Sequence, residues 1–179
     1  MKKVLLVFML VFFYSGGIKA SETGGTLKNV FSEWSNQISN IWYNGSMALI
    51  VPVNTWHNRL TYDHSKIKDY NERPWGIGLE RYVYDENKDR HGLIAMTFKD
   101  SFNKPEPTFL YSYQKRWRKE KDFNPTLGIA AGITFRENYH WLPVPGAAPT
   151  FGFDYKSFSL ECLYVPIFDV MLTWVTWRF

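Results

Sequence analysis

The chain has 179 residues, with 21 Lys and Arg against 17 Asp and Glu, and 18% of it is aromatic at a mean hydropathy of −0.30. Three of the cations, Lys2, Lys3 and Lys19, sit in an N-terminal leader. Without them the net charge is about +1, which gives no support to a nucleic-acid partner. No run beyond the leader approaches the roughly 20 apolar residues of a transmembrane helix, so a helical membrane protein is excluded.

In the leader, Lys2 and Lys3 precede an apolar run from Val4 to Tyr14, followed by Ser15, Gly16, Gly17 and Ala20. This is the pattern of a secretory signal peptide over 1–20, cleaved after Ala20. The remainder, 21–179, suits one domain. The single cysteine, Cys162, has no intrachain partner and reads as a small apolar residue.

From Thr26 to Tyr43, Leu27, Val30, Phe31, Trp34, Ile38, Ile41 and Trp42 recur at spacings of three and four. The spacing predicts an amphipathic helix over 26–43, with Thr26 as N-cap and Asn44 and Gly45 as its stop. Its apolar face is expected against the bilayer interface, anchored by Trp34 and Trp42. Packing on a protein core is the alternative.

After Ser46 the period becomes two. Leu127, Ile129, Ala131, Ile133 and Phe135 alternate with Gly128, Ala130, Gly132, Thr134 and Arg136. Phe109, Tyr111, Tyr113 and Trp117 likewise oppose Leu110, Ser112, Gln114 and Arg116. The chain ends with Met171, Thr173, Val175, Trp177 and Phe179 on one face. Strands are expected near 47–62, 75–84, 91–99, 107–117, 125–136, 147–155, 156–166 and 169–179. Eight is the even number that a single-chain bacterial barrel requires. Gly128, Gly132, Gly152, Ser112 and Asp154 oppose the bulky face. That places the aromatics outside, the reverse of a soluble lipid-binding barrel. The fold class is therefore all-β, an eight-stranded antiparallel transmembrane barrel over 47–179 with an N-terminal amphipathic helix.

Three patches carry mixed chemistry: Thr55-Trp56-His57-Asn58-Arg59, Tyr70-Asn71-Glu72-Arg73-Pro74-Trp75-Gly76 and Lys99-Asp100-Ser101-Phe102-Asn103-Lys104. Taken alone, a histidine in a strand is commonly a hydrogen-bonded structural residue, and an Asp-Ser pair at a strand end is commonly a turn. The patches resemble those of the lipid A palmitoyltransferases, and the likeness runs from about Glu33 to Phe179. The resemblance implies an outer-membrane enzyme, in a bacterial cell outer membrane. Its reaction would move an acyl chain from the sn-1 position of a phospholipid donor to a hydroxyacyl chain of lipid A, the acceptor. It implies catalytic roles for His57, Asp100 and Ser101, and no cofactor.

A histidine near neutral pKa can take a proton from an attacking hydroxyl and return it to the leaving oxygen. Ser101 is a nucleophile or a group that orients the ester, and both readings stay open. Asp100 is expected to orient His57, although neighbouring strand residues face opposite ways. Pro52, Pro74, Pro149 and Pro166 fall in strand-like segments, where they remove ladder hydrogen bonds. The resemblance makes them two lateral gates, while strand edges or bulges are the plainer reading.

At the floor of the acyl pocket the family carries a glycine that admits a palmitoyl chain. The matching position is Ser112, and parity puts Leu110 on the same inward face. Chains somewhat shorter than palmitoyl are therefore expected to compete at least equally. Arg59, Lys66, Lys68, Glu72, Arg73, Lys99 and Lys104 fall toward the external loops, where cations can meet lipid A phosphates. His57, His64, His91 and His140 lack metal-ligand spacing, so no metal is assigned. A monomer or weak homodimer in the outer-membrane bilayer is expected. The alternative functions are an outer-membrane phospholipase and a non-enzymatic surface barrel.

Overall fold

A computed structural model describes residues 27–118 and 121–179. The expected signal peptide and the Thr26 cap lie outside them. Helix α1 spans Leu27–Asn44 and a single turn, α2, spans His64–Ile67. The strands are β1 (Ser46–His57), β2 (Gly76–Tyr84), β3 (Arg90–Lys99), β4 (Pro105–Arg116), β5 (Phe123–Phe135), β6 (Pro143–Tyr155), β7 (Phe158–Val165) and β8 (Val170–Arg178). Each pairs antiparallel with the next, and β1 pairs with β8 from Ala48↔Arg178 to His57↔Val170, closing the barrel. Among the described residues no helix is long and apolar enough to cross a membrane. Crossing by strands needs no such helix, because closure pairs backbone groups between neighbours.

α1 stops where the sequence indicates. The amide of Gly45 donates to the Ile41 carbonyl at 3.0 Å, and a Cβ there would collide with that carbonyl and crowd Tyr82 of β2. Ile41 is fully buried against the barrel while Trp42 and Tyr43 are exposed, and the Arg81 guanidinium donates to the Gly45 carbonyl at 3.0 Å. The helix is thus tied to the barrel at its C-terminal turn.

Alternation sorts the strand residues as expected. Ile77, Leu79, Phe109, Leu127, Ile133, Phe151, Phe153 and Trp177 are exposed outside. The interior has two layers. Toward the His57 end, Ile50, Ile94, Met96, Phe98, Leu172 and Trp174 form an apolar cluster, with Leu110 and Leu163 packed on it. Toward the α1 end, Arg90 pairs with Glu161 and lies 3.7 Å from Asp154, which also accepts from Arg116 at 2.9 Å. A polar interior inside an apolar wall is the membrane-barrel arrangement.

Two boundaries differ from expectation by more than two residues. β1 ends at His57 rather than 62, because Asn58 turns the chain, accepting from the Leu60 amide with its side chain and from the Thr61 and Tyr62 amides with its carbonyl. β6 begins at Pro143 rather than 147 and stays in register with β5 from Pro143↔Phe135 onward. Pro143, Pro145 and Pro149 share one parity, so their missing N–H groups all fall on one side of the strand, and β7 joins β6 only from Thr150.

On a denaturing gel, the protein should migrate at different positions before and after boiling, as a closed ladder resists detergent unfolding. Identical migration would contradict closure.

Candidate active site

His57 is the last residue of β1 and only 2% exposed. The loop 58–75 folds back over the mouth of the barrel and brings the second sequence patch onto the other two. Asn71 fastens it to the β3–β4 turn, its amide donating to the Ser101 carbonyl at 2.8 Å and its side chain to the Asp100 carbonyl at 3.3 Å. The Thr55 amide donates to the Glu72 carbonyl at 3.0 Å, and Lys99 to Trp75 at 2.9 Å. Tyr70 stacks on the imidazole at 4.7 Å between centroids, and Tyr62 meets it edge-on at 5.5 Å.

Both ring nitrogens of His57 are engaged. Nδ1 lies 3.2 Å from Glu72 Oε1, and Nε2 lies 2.9 Å from Ser101 Oγ. Arg59 donates to both Glu72 oxygens, at 2.7 and 2.6 Å. Those bonds, followed by the one from His57, hold the Glu72 carboxyl at about 2, well below the usual carboxylate range. An ionised carboxylate only accepts, so Nδ1 carries the proton and Nε2 is left to accept the Ser101 hydroxyl. The geometry is that of a nucleophile, a base and an orienting acid.

Asp100 departs from its expected place beside the imidazole. Its Oδ1 accepts the amides of Phe102 and Lys104, each at 2.9 Å, and Oδ2 lies 3.4 Å from Arg136. It builds the turn that presents Ser101, with Asn103 in the left-handed region at φ 64°. The acid at His57 is instead Glu72, which the sequence placed only among the loop charges. Its signal was the second patch itself, where one residue stacks, one ties and one accepts.

Below the mouth, inward positions descend from Asp100 through Phe98, Met96 and Ile94, and from His57 through Pro52 and Ile50, into the apolar layer. Leu110 packs on that layer, and Ser112 lies one inward position deeper, 1% exposed. Of the four prolines, Pro52 and Pro149 lie within strands, whereas Pro74 precedes β2 and Pro166 follows β7. Both pairs nonetheless flank gaps in pairing. The β1–β2 ladder ends at Ile50↔Gly78 and the β6–β7 ladder at Thr150↔Leu163, each short of the His57 end. Among the loop charges, Arg59 is taken by Glu72 and Lys104 pairs with Glu137 at 3.2 Å, while Lys66, Lys68, Arg73 and Lys99 are exposed.

The family profile described as "Antimicrobial peptide resistance and lipid A acylation protein PagP" matches residues 37–175. A relative from Yersinia enterocolitica, "Lipid A acyltransferase PagP", is 43% identical over 84% of this chain and 77% of its own. Proteins of the same description from Musicola paradisiaca and Serratia proteamaculans are 38% identical (97% of this chain, 95% of theirs) and 41% identical (84% and 80%). With its eight-stranded barrel and a match over most of its length, the chain belongs to the PagP family of lipid A acylation proteins.

Proposed function

We propose that this protein is an outer-membrane acyltransferase that moves an acyl chain from the sn-1 position of a phospholipid to a hydroxyacyl chain of lipid A through a Ser101 acyl-enzyme. The observation that carries the proposal is the chain of contacts Ser101 Oγ, His57 Nε2, His57 Nδ1, Glu72, which aims a basic nitrogen at a hydroxyl above an apolar interior. Ser101 Oγ attacks the donor ester carbonyl while its proton passes to Nε2. Collapse expels the glycerol oxygen, which takes that proton and leaves as a lysophospholipid. The lipid A hydroxyl next gives its proton to Nε2 as its oxygen attacks the acyl-enzyme, and Ser101 Oγ recovers the proton on leaving.

In this reading the apolar layer holds the acyl chain, with Leu110 and Ser112 toward its deep end. The unpaired stretches beside Pro52 and Pro74, and beside Pro149 and Pro166, admit lipids sideways. Exposed Lys66, Lys68, Arg73 and Lys99 face the phosphates of lipid A. The outward aromatic belt sits in the bilayer, with α1 at one interface.

His57→Ala and Ser101→Ala should each lower transfer about a hundredfold or more in folded protein. Asp100→Ala should lose the turn and most activity. Asp100→Asn, which keeps an acceptor oxygen for the Phe102 and Lys104 amides, should retain a substantial part. Near-normal turnover in His57→Ala would sink the mechanism. Incubation with phospholipid alone should leave an acyl group on Ser101, read by peptide mass. Its absence at times when lipid A is being acylated would replace the acyl-enzyme with direct transfer.

Glu72 stays ionised down to about pH 2, so a loss of activity at higher pH does not come from its carboxylate. Glu72→Gln should lower kcat and keep an acid limb. A limb that vanishes in this variant would identify Glu72 as the titrating group.

A further inference from the structure

Nothing intrinsic fixes the plane of the His57 ring, because the outer side-chain torsion of a histidine joins an sp³ to an sp² atom and is broad. Its surroundings have to fix it. Glu72 Oε1 does so only in part, since it accepts at once from the His57 amide at 3.3 Å, from Nδ1 at 3.2 Å and from Arg59 at 2.7 Å. The shortest of the three goes to Arg59. The other in-plane contact is Ser101 Oγ, the atom that the ring has to serve. The face of the ring is held by an aromatic group: Tyr70 stacks on it at 4.7 Å with 29° between the planes. Tyr62 lies 5.5 Å from the imidazole at 81° and only 5.9 Å from Tyr70, so it stands at the imidazole edge rather than on the opposite face. Phe102 meets Tyr70 at 5.6 Å and 86°. Tyr70 is thus pinned from two directions, by Phe102, the residue after Ser101, and by Tyr62, whose hydroxyl donates to the Phe168 carbonyl at 2.6 Å.

We propose that Tyr70 is a positioning residue for the reaction: its ring holds the His57 imidazole in the plane from which Nε2 reaches Ser101 Oγ while Nδ1 keeps Glu72. This rests on the acyltransferase reading above. Turning the imidazole out of that plane would swing an edge of the five-membered ring into the stacked phenol, so the rotation is blocked on that side. A completed half-turn would put carbon atoms where the nitrogens stand and leave the serine hydroxyl without a base. Catalytic groups lose rate steeply when displaced, on the order of a hundredfold for about 1 Å. The base serves both halves of the reaction, so loss of the stack falls on kcat whichever half limits it. Because the contact is made by the face of the ring, the tyrosine hydroxyl is dispensable to it. The second sequence patch thereby gives three consecutive residues separate parts around the base. Tyr70 holds its face, Asn71 ties the turn that carries Ser101, and Glu72 accepts from Nδ1.

The test is steady-state transfer from phosphatidylcholine to lipid A in detergent micelles, for the wild type, Tyr70→Leu, Tyr70→Met and Tyr70→Phe, each checked for heat-dependent gel migration. Tyr70 lies in the 58–75 loop, outside the barrel ladder, so all three variants should keep that migration. Tyr70→Leu and Tyr70→Met fill space without a flat face. Each should lose kcat by roughly tenfold or more, at a KM for either lipid within about twofold of the wild type. Tyr70→Phe, which keeps the ring, should restore most of kcat. Near-normal kcat in folded Tyr70→Leu and Tyr70→Met would overturn the assignment, as would a loss confined to KM or a Tyr70→Phe variant as slow as Tyr70→Leu. Loss of the heat-dependent migration would make Tyr70 a structural residue and would also overturn it. Absence of any transfer by the wild type would instead bring down the acyltransferase reading, and this one with it.

Discussion

Pairing of β1 with β8 is what converts an eight-stranded meander into a barrel, and most other features follow from that closure. A closed ladder satisfies the backbone between strands, so the wall can be apolar and face lipid. It also fixes parity, because every even-numbered residue along β3 to β6 must fit inside a common volume. Small residues such as Gly128, Ala130, Gly132 and Ala148 line one side of that volume, and bulky Ile50, Ile94 and Trp174 fill the other. Where closure is incomplete, beside Val51–His57 and Pro143–Pro149, the same logic leaves backbone without a strand partner on one side.

The alternation of aromatic and small residues made the barrel, its strand count and its inside face legible in the sequence. The β6 start was not, because Pro143 and Pro145 are read as breakers unless the neighbouring strand is known to be absent there. His57 and Ser101 were legible through their patches, as was their nearness. The exchange of Asp100 for Glu72 was not. Asp100 and Ser101 are chain neighbours and diverge in direction, whereas Glu72 comes to His57 only through a long loop whose fold depends on Asn71 binding a turn thirty or so residues away. The inner charge layer was equally opaque. Arg90 sits in a charged hairpin segment, and its partner Glu161 is 71 residues on.

Interior charge here serves geometry as much as stability. Arg90, Arg116 and Arg178 face Glu80, Asp154 and Glu161 across the inner half, so the layer is close to neutral. Breaking one member of such a set leaves another charge buried without compensation, which is far costlier than the set itself is stabilising. A layer of this kind resists deformation and gives the apolar cluster above it a fixed base. The upper layer combines apolar packing with a smaller set of ties near the mouth, where Arg136 lies between Glu106 and Asp100.

The two gaps in pairing divide the upper wall into two groups of strands, β2 to β6 and β7, β8, β1. Ser101 belongs to the first group and His57 to the second, so their 2.9 Å contact spans the β1–β2 seam, with the 58–75 loop as the only covalent strap across it at that end. Spreading that seam would lengthen the contact and take the base from the hydroxyl. The pair is therefore held together only while that seam stays shut.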